Sequence, residues 1–153
     1  MNLKDKITKD IKDAMRSKNE LRLSVLRMLS SAIHNREIEK RAKTGKEEEL
    51  NEEEVVATIR SETKKRRDAI VEFEKGGRKE MAEKEVAELK ILEEYLPQEI
   101  ADEELEKVVK EVVAGLGEVT QKDFGRIMGE VMKKIKGQAA GDRVSAAIKK
   151  LLG

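Results

Sequence analysis

The chain has 153 residues, 42% of them charged and only 2% aromatic, with one proline, no cysteine and a net charge of +1. That length fits one domain or two small ones. The composition excludes disulfides, thiol chemistry and cysteine metal sites, and it lacks the β-branched and aromatic alternation that a β-sandwich needs.

Leu3, Ile7, Ile11, Ala14 and Met15 recur at helical spacing, so the sequence predicts a helix over 3–17 with Asn2 as its cap. Asn19 caps a second helix, about 20–43, carrying Leu21, Val25, Leu26, Met28, Leu29, Ala32, Ile33 and Ile38. Gly45 ends it, and Lys46 to Leu50 form a charged loop. Asn51 with Glu54 makes a capping-box start for a helix to Lys75. Its middle, Arg60 to Asp68, has almost no apolar residue and should be largely solvated. Gly76-Gly77 stops it. A helix over about 79–95 turns Met81, Val86, Leu89, Leu92 and Tyr95 inward. Pro97 restricts Leu96 away from helical backbone, which places a domain boundary here. Asp102 then caps a helix to about Ala114. Gly115 and Gly117 precede a helix capped by Thr120, Gly137 closes that one, and a last helix covers about 141–152. The expectation is all-α: an N-terminal long-helix domain, 1–96, and a C-terminal three-helix bundle, 97–153.

Charge is distributed unevenly along these elements. Residues 1–46 carry 13 Lys/Arg against 6 Asp/Glu; residues 47–95 carry 10 against 16. Residues 96–114 carry 2 against 6, and residues 115–153 carry 8 against 4. Two basic ends therefore flank an acidic middle. They either pack on it or offer one face to a polyanion. No run approaches about 18 apolar residues, and the first residues lack the apolar core of a signal peptide. A cytoplasmic protein without membrane contact is the expectation.

Motifs for chemistry are sparse. His34, the single histidine, has no cysteine to join it in a metal site. Ser24, Ser30, Ser31, Ser61 and Ser145 lie in no nucleophile elbow. No glycine-rich phosphate loop follows a strand. Catalytic residues, metal ligands and cofactors are therefore not expected. Lys64 to Arg67 can pair with Glu62, Asp68 and Glu72 as a salt-bridged face. Gly125 and Gly129, four apart, suit close helix–helix approach. The one local chemical opportunity lies at 123–141. Cations at the end of one helix there meet the N–H groups opening the next, which suits an anion. The candidate RNA-binding set is Arg126, Lys133, Lys134, Lys136, Gly137, Gln138, Gly141 and Arg143.

Several ordered segments resemble the YqeY family. They are Arg22-Leu-Ser-Val-Leu-Arg-Met-Leu29, Lys65-Arg-Arg-Asp-Ala-Ile70, Phe73-Glu-Lys-Gly-Gly-Arg78, Ile91-Leu-Glu-Glu-Tyr-Leu-Pro97 and Asp123-Phe-Gly-Arg-Ile-Met-Gly129. The resemblance implies an all-helical protein. Its C-terminal part would be similar to the tail domain of the B subunit of the tRNA-dependent amidotransferase, a domain that contacts tRNA. It also implies carbon–nitrogen ligase activity with glutamine as amido-nitrogen donor, in which translation components or an amidotransferase would be partners. The family usually reads Gly-Arg-Ala-Asp-Gly in its last loop; this chain has Gly137-Gln-Ala-Ala-Gly141. Three functions follow as expectations: an RNA- or tRNA-binding accessory module, a participant in amide transfer, and a helical protein-interaction module.

Overall fold

A computed structural model describes residues 2–153. Among them the chain is all-α, with no strand. The helices are α1 (Leu3–Ser17), α2 (Glu20–Thr44), α3 (Glu52–Lys75), α4 (Lys79–Glu93), α5 (Asp102–Leu116), α6 (Phe124–Ile135) and α7 (Gly141–Leu152). A 3-10 turn, Gln121–Asp123, leads into α6. The chain forms two compact units, Met1–Leu96 and Pro97–Gly153.

Local chemistry sets the helix ends of the first unit. The side chains of Asn2, Asn19 and Asn51 accept from the N–H groups of Asp5, Arg22 and Glu54, satisfying donors that no helix carbonyl reaches. Glu54 accepts the Asn51 N–H in return, completing a capping box. At the α3–α4 corner Gly77 takes φ 72°, and the Arg78 N–H donates to the Phe73 carbonyl. A side chain at Gly77 would strain that left-handed turn.

The core of this unit joins Ile7 of α1, Val25, Leu26, Leu29 and Ile33 of α2, Val55 and Ile59 of α3, Leu92 of α4 and Tyr95 just after it. Burying each of the larger aliphatics contributes roughly 1.5–3 kcal/mol. Polar groups lock the same helices together. The Tyr95 hydroxyl donates to the Asp10 carboxylate and accepts from Arg22, which also bridges to Glu94. Two separate segments of the family resemblance, around Arg22 and around Tyr95, thus meet at one point.

The middle of α3 departs from the expected solvation. Thr63 and Arg66 are buried. Arg66 reaches across to Glu85 and Glu88 of α4, the second of these also buried, and its other arm touches the Met28 sulfur. Among the described residues, Lys65 makes the expected local pair, with Glu62. Met81, expected inward, is exposed, as are Leu21, Met28 and Ile38 of α2.

In the second unit Leu105, Val109 and Val112 of α5, Ile127, Val131 and Ile135 of α6, and Val144 and Ile148 of α7 form the core with Ala139. Asp102 is the first residue of α5 rather than its cap; Ala101 holds that position and provides no side-chain bond. Thr120 and Asp123 form a capping box on the 3-10 turn before α6.

Candidate nucleic-acid interface

The three helices of the second unit differ in charge. Along α5, Asp102, Glu103, Glu104, Glu106 and Glu111 outnumber Lys107 and Lys110. From Gln121 to Gly153, eight Lys/Arg stand against three Asp/Glu, a net of +5. The basic excess is shared by α6, α7 and Lys136 between them; the inner face of α6 is apolar and its outer face is free for polar residues. Arg126, Lys133, Lys134 and Lys136 are all exposed. Lys133 has a loose pair with Glu130 at 3.8 Å. Arg126, Lys134 and Lys136 have no acidic partner among the described residues.

Gly125 and Gly129 lie on the same outer side. A Cβ at either would meet no atom within 4 Å, so neither glycine marks a helix–helix approach. With Lys133 they form one row at four-residue spacing, a strip where the helix backbone is uncovered. A bulky ligand can approach α6 more closely there than along any row of side chains.

The loop after α6 is organised internally. Lys136 takes φ 49° and Gly137 φ 79°, turning the chain back, and Gly137 is buried. The Ile100 N–H donates to the Gln138 carbonyl, which ties the loop to the segment before α5. Arg143 points the same way. It donates to the Ile100 carbonyl at 2.8 Å and to Asp102 at 2.6 Å, with Glu99 at 3.8 Å. Its charge is offset within the fold. At the start of α7, the Asp142 carboxylate accepts the Arg143 N–H at 2.9 Å. An acid thus already occupies the helix end expected to attract an anion. Arg126, Lys133 and Lys134 are exposed on α6 and Lys136 just past its end, whereas Gln138 and Arg143 bond within the fold and Gly141 opens α7.

Elsewhere the geometry offers less. A cleft of about 380 Å³ between α2 and α3 is lined by Arg36, Lys40, Thr44, Leu50 and Glu54 among others, with Lys40 engaged by Glu54 at 2.7 Å. His34 is exposed at the rim of a smaller cleft with Lys4 and Glu37. No group of three or more His, Cys, Asp or Glu is placed to hold a metal among the described residues. No described helix is long and apolar enough to cross a membrane.

The sequence profile described as Yqey-like protein matches residues 4–152, almost the whole chain. This chain belongs to the YqeY family. Among its relatives is altered inheritance of mitochondria protein 41 of Pyrenophora tritici-repentis, 32% identical over 147 residues, covering 94% of this YqeY chain and 77% of that protein. The protein of the same name from Vanderwaltozyma polyspora is 32% identical over 136 residues, covering 84% and 70%. That of Kluyveromyces lactis is 36% identical over 89 residues, covering 58% and 45%. These names correct the expected cytoplasmic location. All three relatives are named as mitochondrial proteins.

Proposed function

We propose that this YqeY chain is a nucleic-acid-binding accessory protein that holds an RNA backbone, in the first instance tRNA, on the outer face of α6. The observation that supports this reading is the set of exposed cations on α6 and just past its end, Arg126, Lys134 and Lys136, which have no acidic partner among the described residues. Solvated cations of one sign on one helix face concentrate a polyanion and release its counterions when it binds. The bare strip at Gly125 and Gly129 gives the phosphate backbone close access. Phe124 and Tyr95 are not displayed for base stacking: Tyr95 is buried and Phe124 packs on the core of its unit. Recognition would therefore follow backbone shape rather than base sequence. The resemblance to the tail domain of the amidotransferase B subunit is what narrows RNA to tRNA. Any link to amide transfer would run through that shared ligand, with the chemistry supplied by a partner.

Filter binding of labelled tRNA across a salt series tests the reading. Engagement of Arg126, Lys133, Lys134 and Lys136 gives a slope of log K against log salt of about −3. Replacing Lys133, Lys134 and Lys136 together by Ala should bring the slope to about −1. Absence of tRNA retention at low salt would refute the proposal, and so would an unchanged slope in the triple variant.

A further inference from the structure

The periodicity of α2 contains more apolar positions than its core uses. Val25, Leu26, Leu29 and Ile33 face inward. On the opposite side, positions 21, 24, 28, 31, 35, 38 and 42 alternate by three and four residues. They read Leu21, Ser24, Met28, Ser31, Asn35, Ile38 and Ala42, and every one is exposed. Leu21 is 39% exposed, Ile38 50%, and Met28 53% with its sulfur against Arg66 of α3. None of the seven carries a charge, in a chain that is 42% charged. The stripe runs roughly 30 Å along the helix. Its spacing is that of a coiled-coil seam, which keeps one row facing a partner helix over several turns. Charged residues appear only beside it: Glu20, Arg27 and Arg41 with His34 flank one edge at seven-residue spacing.

We infer that this face of α2 pairs with the same face of a second copy of the chain, antiparallel, about a two-fold axis. Charge and size choose this occupant and this register. In an antiparallel seam the two kinds of core position share each layer. Setting Met28 level with the second copy's Ser31 puts a large side chain against a small one. The same register sets Leu21 against Ile38, apolar on apolar. Ser24 then meets Asn35, hydroxyl to amide. On the flanking edge Glu20 meets the second copy's Arg41, a half-buried cation whose charge also acts on Glu37 of its own copy, and by symmetry this pair occurs twice. Sliding the helices by one heptad places Arg27 against Arg41, which is repulsive. A parallel arrangement sets Glu20 and Arg27 against the uncharged Val25 and Ala32, and brings only His34 against an acid, Glu39. This antiparallel register, which also sets Arg27 beside the second copy's His34, is the one that joins the matched layers to an acid–base pair at the edge. The pairing is independent of the RNA-binding proposal, which concerns the other unit.

Analytical ultracentrifugation of the full chain, from about 1 μM to about 1 mM, reads the self-association directly. The wild-type chain should show a reversible monomer–dimer equilibrium in that range. Ser31→Glu places carboxylates in the seam and should leave a monomer whose circular-dichroism melt matches wild type, since the site is exposed. Glu20→Arg alone and Arg41→Glu alone should each weaken the dimer by about tenfold or more. A mixture of those two variants should associate like wild type, because each copy then supplies the charge the other lacks. Wild-type chain that stays monomeric throughout overturns the inference. A dimer indifferent to Ser31→Glu also overturns it, as does a mixture no tighter than its components. Should Arg41→Glu fail to fold, Glu20→Arg and Ser31→Glu still decide the matter.

Discussion

Replacing Arg66 by Met should unfold the first unit more readily than any surface change, and the size of the effect follows from what remains behind. Arg66 is buried and holds two carboxylates of α4, Glu85 at 3.0 Å and the buried Glu88. Met fills the volume of the stem but leaves Glu88 in the helix interface without its cation. Breaking one side of a buried pair costs about 3–5 kcal/mol, because the orphaned charge stays desolvated. For a unit of this size each kcal/mol is worth roughly 4–8 °C, so the melting midpoint should fall by about 12 °C or more. The variant carrying Arg66→Met, Glu85→Gln and Glu88→Leu removes the charges as well as the cation. It should recover most of the loss and could exceed wild type. The Arg66 Nε is buried without a hydrogen-bond partner, so the native pair is itself incompletely satisfied. Urea titration followed by circular dichroism measures all three proteins. A loss under about 1 kcal/mol for Arg66→Met, or no recovery in the triple variant, would refute this account of how α3 and α4 are joined.

Gly125→Ala and Gly129→Ala should each stabilise the second unit by about 1 kcal/mol in thermal melts, because both sites face open space on a helix; destabilisation would show that the face is packed. Asn51→Ala removes the side-chain acceptor of the α3 capping box, while the residue-51 N–H can still donate to Glu54, and should cost about 1 kcal/mol in urea titration; no change would mean the loop caps the helix by other means. Stability should decline in acid. Burial pushes the Glu37 carboxyl upward, but the Lys4 ammonium and the Leu50 N–H outweigh it and hold it below 4.5; the Lys40 bond does the same for Glu54. A depressed folded pKa means the unfolded chain binds protons first, so this stability is present above about pH 4.5 and is lost as pH falls through the folded values. Urea midpoints measured from neutral to acid pH should fall below that point, and less steeply in Glu37→Gln. An equal slope in wild type and variant would rule out Glu37 as a contributor.

Helix starts were legible in the sequence wherever a cap acts locally. Asn2, Asn19, Asn51 and Thr120 each bond within three residues of themselves, so composition and spacing suffice. The middle of α3 was not legible, because the partners that bury Arg66 are 19 and 22 residues away on another helix. Leu21, Met28 and Ile38 were read with the core of α2, since a periodic pattern does not reveal that a helix has two uncharged faces. In the candidate site, the exposed cations of α6 followed from its amphipathic period. Arg143 did not, because its inward turn depends on the carbonyl of Ile100, fixed only when the loop folds back. Gly125 and Gly129 look the same in sequence whether a neighbour or open space lies beside them.

Glu37 gives the first unit a mechanical property. Its one carboxylate receives the Lys4 ammonium of α1 and the Leu50 N–H of the loop leading into α3. Nearby, the Leu3 N–H donates to Glu52 at the start of α3. The first turn of α1 and the α2–α3 loop are therefore held by the same few groups, and neither can lift away without loosening the other. In native-state hydrogen exchange the Leu50 amide should open with the same free energy as the early amides of α1. A loop of charged residues would then report the fraying of a helix almost fifty positions earlier in the chain.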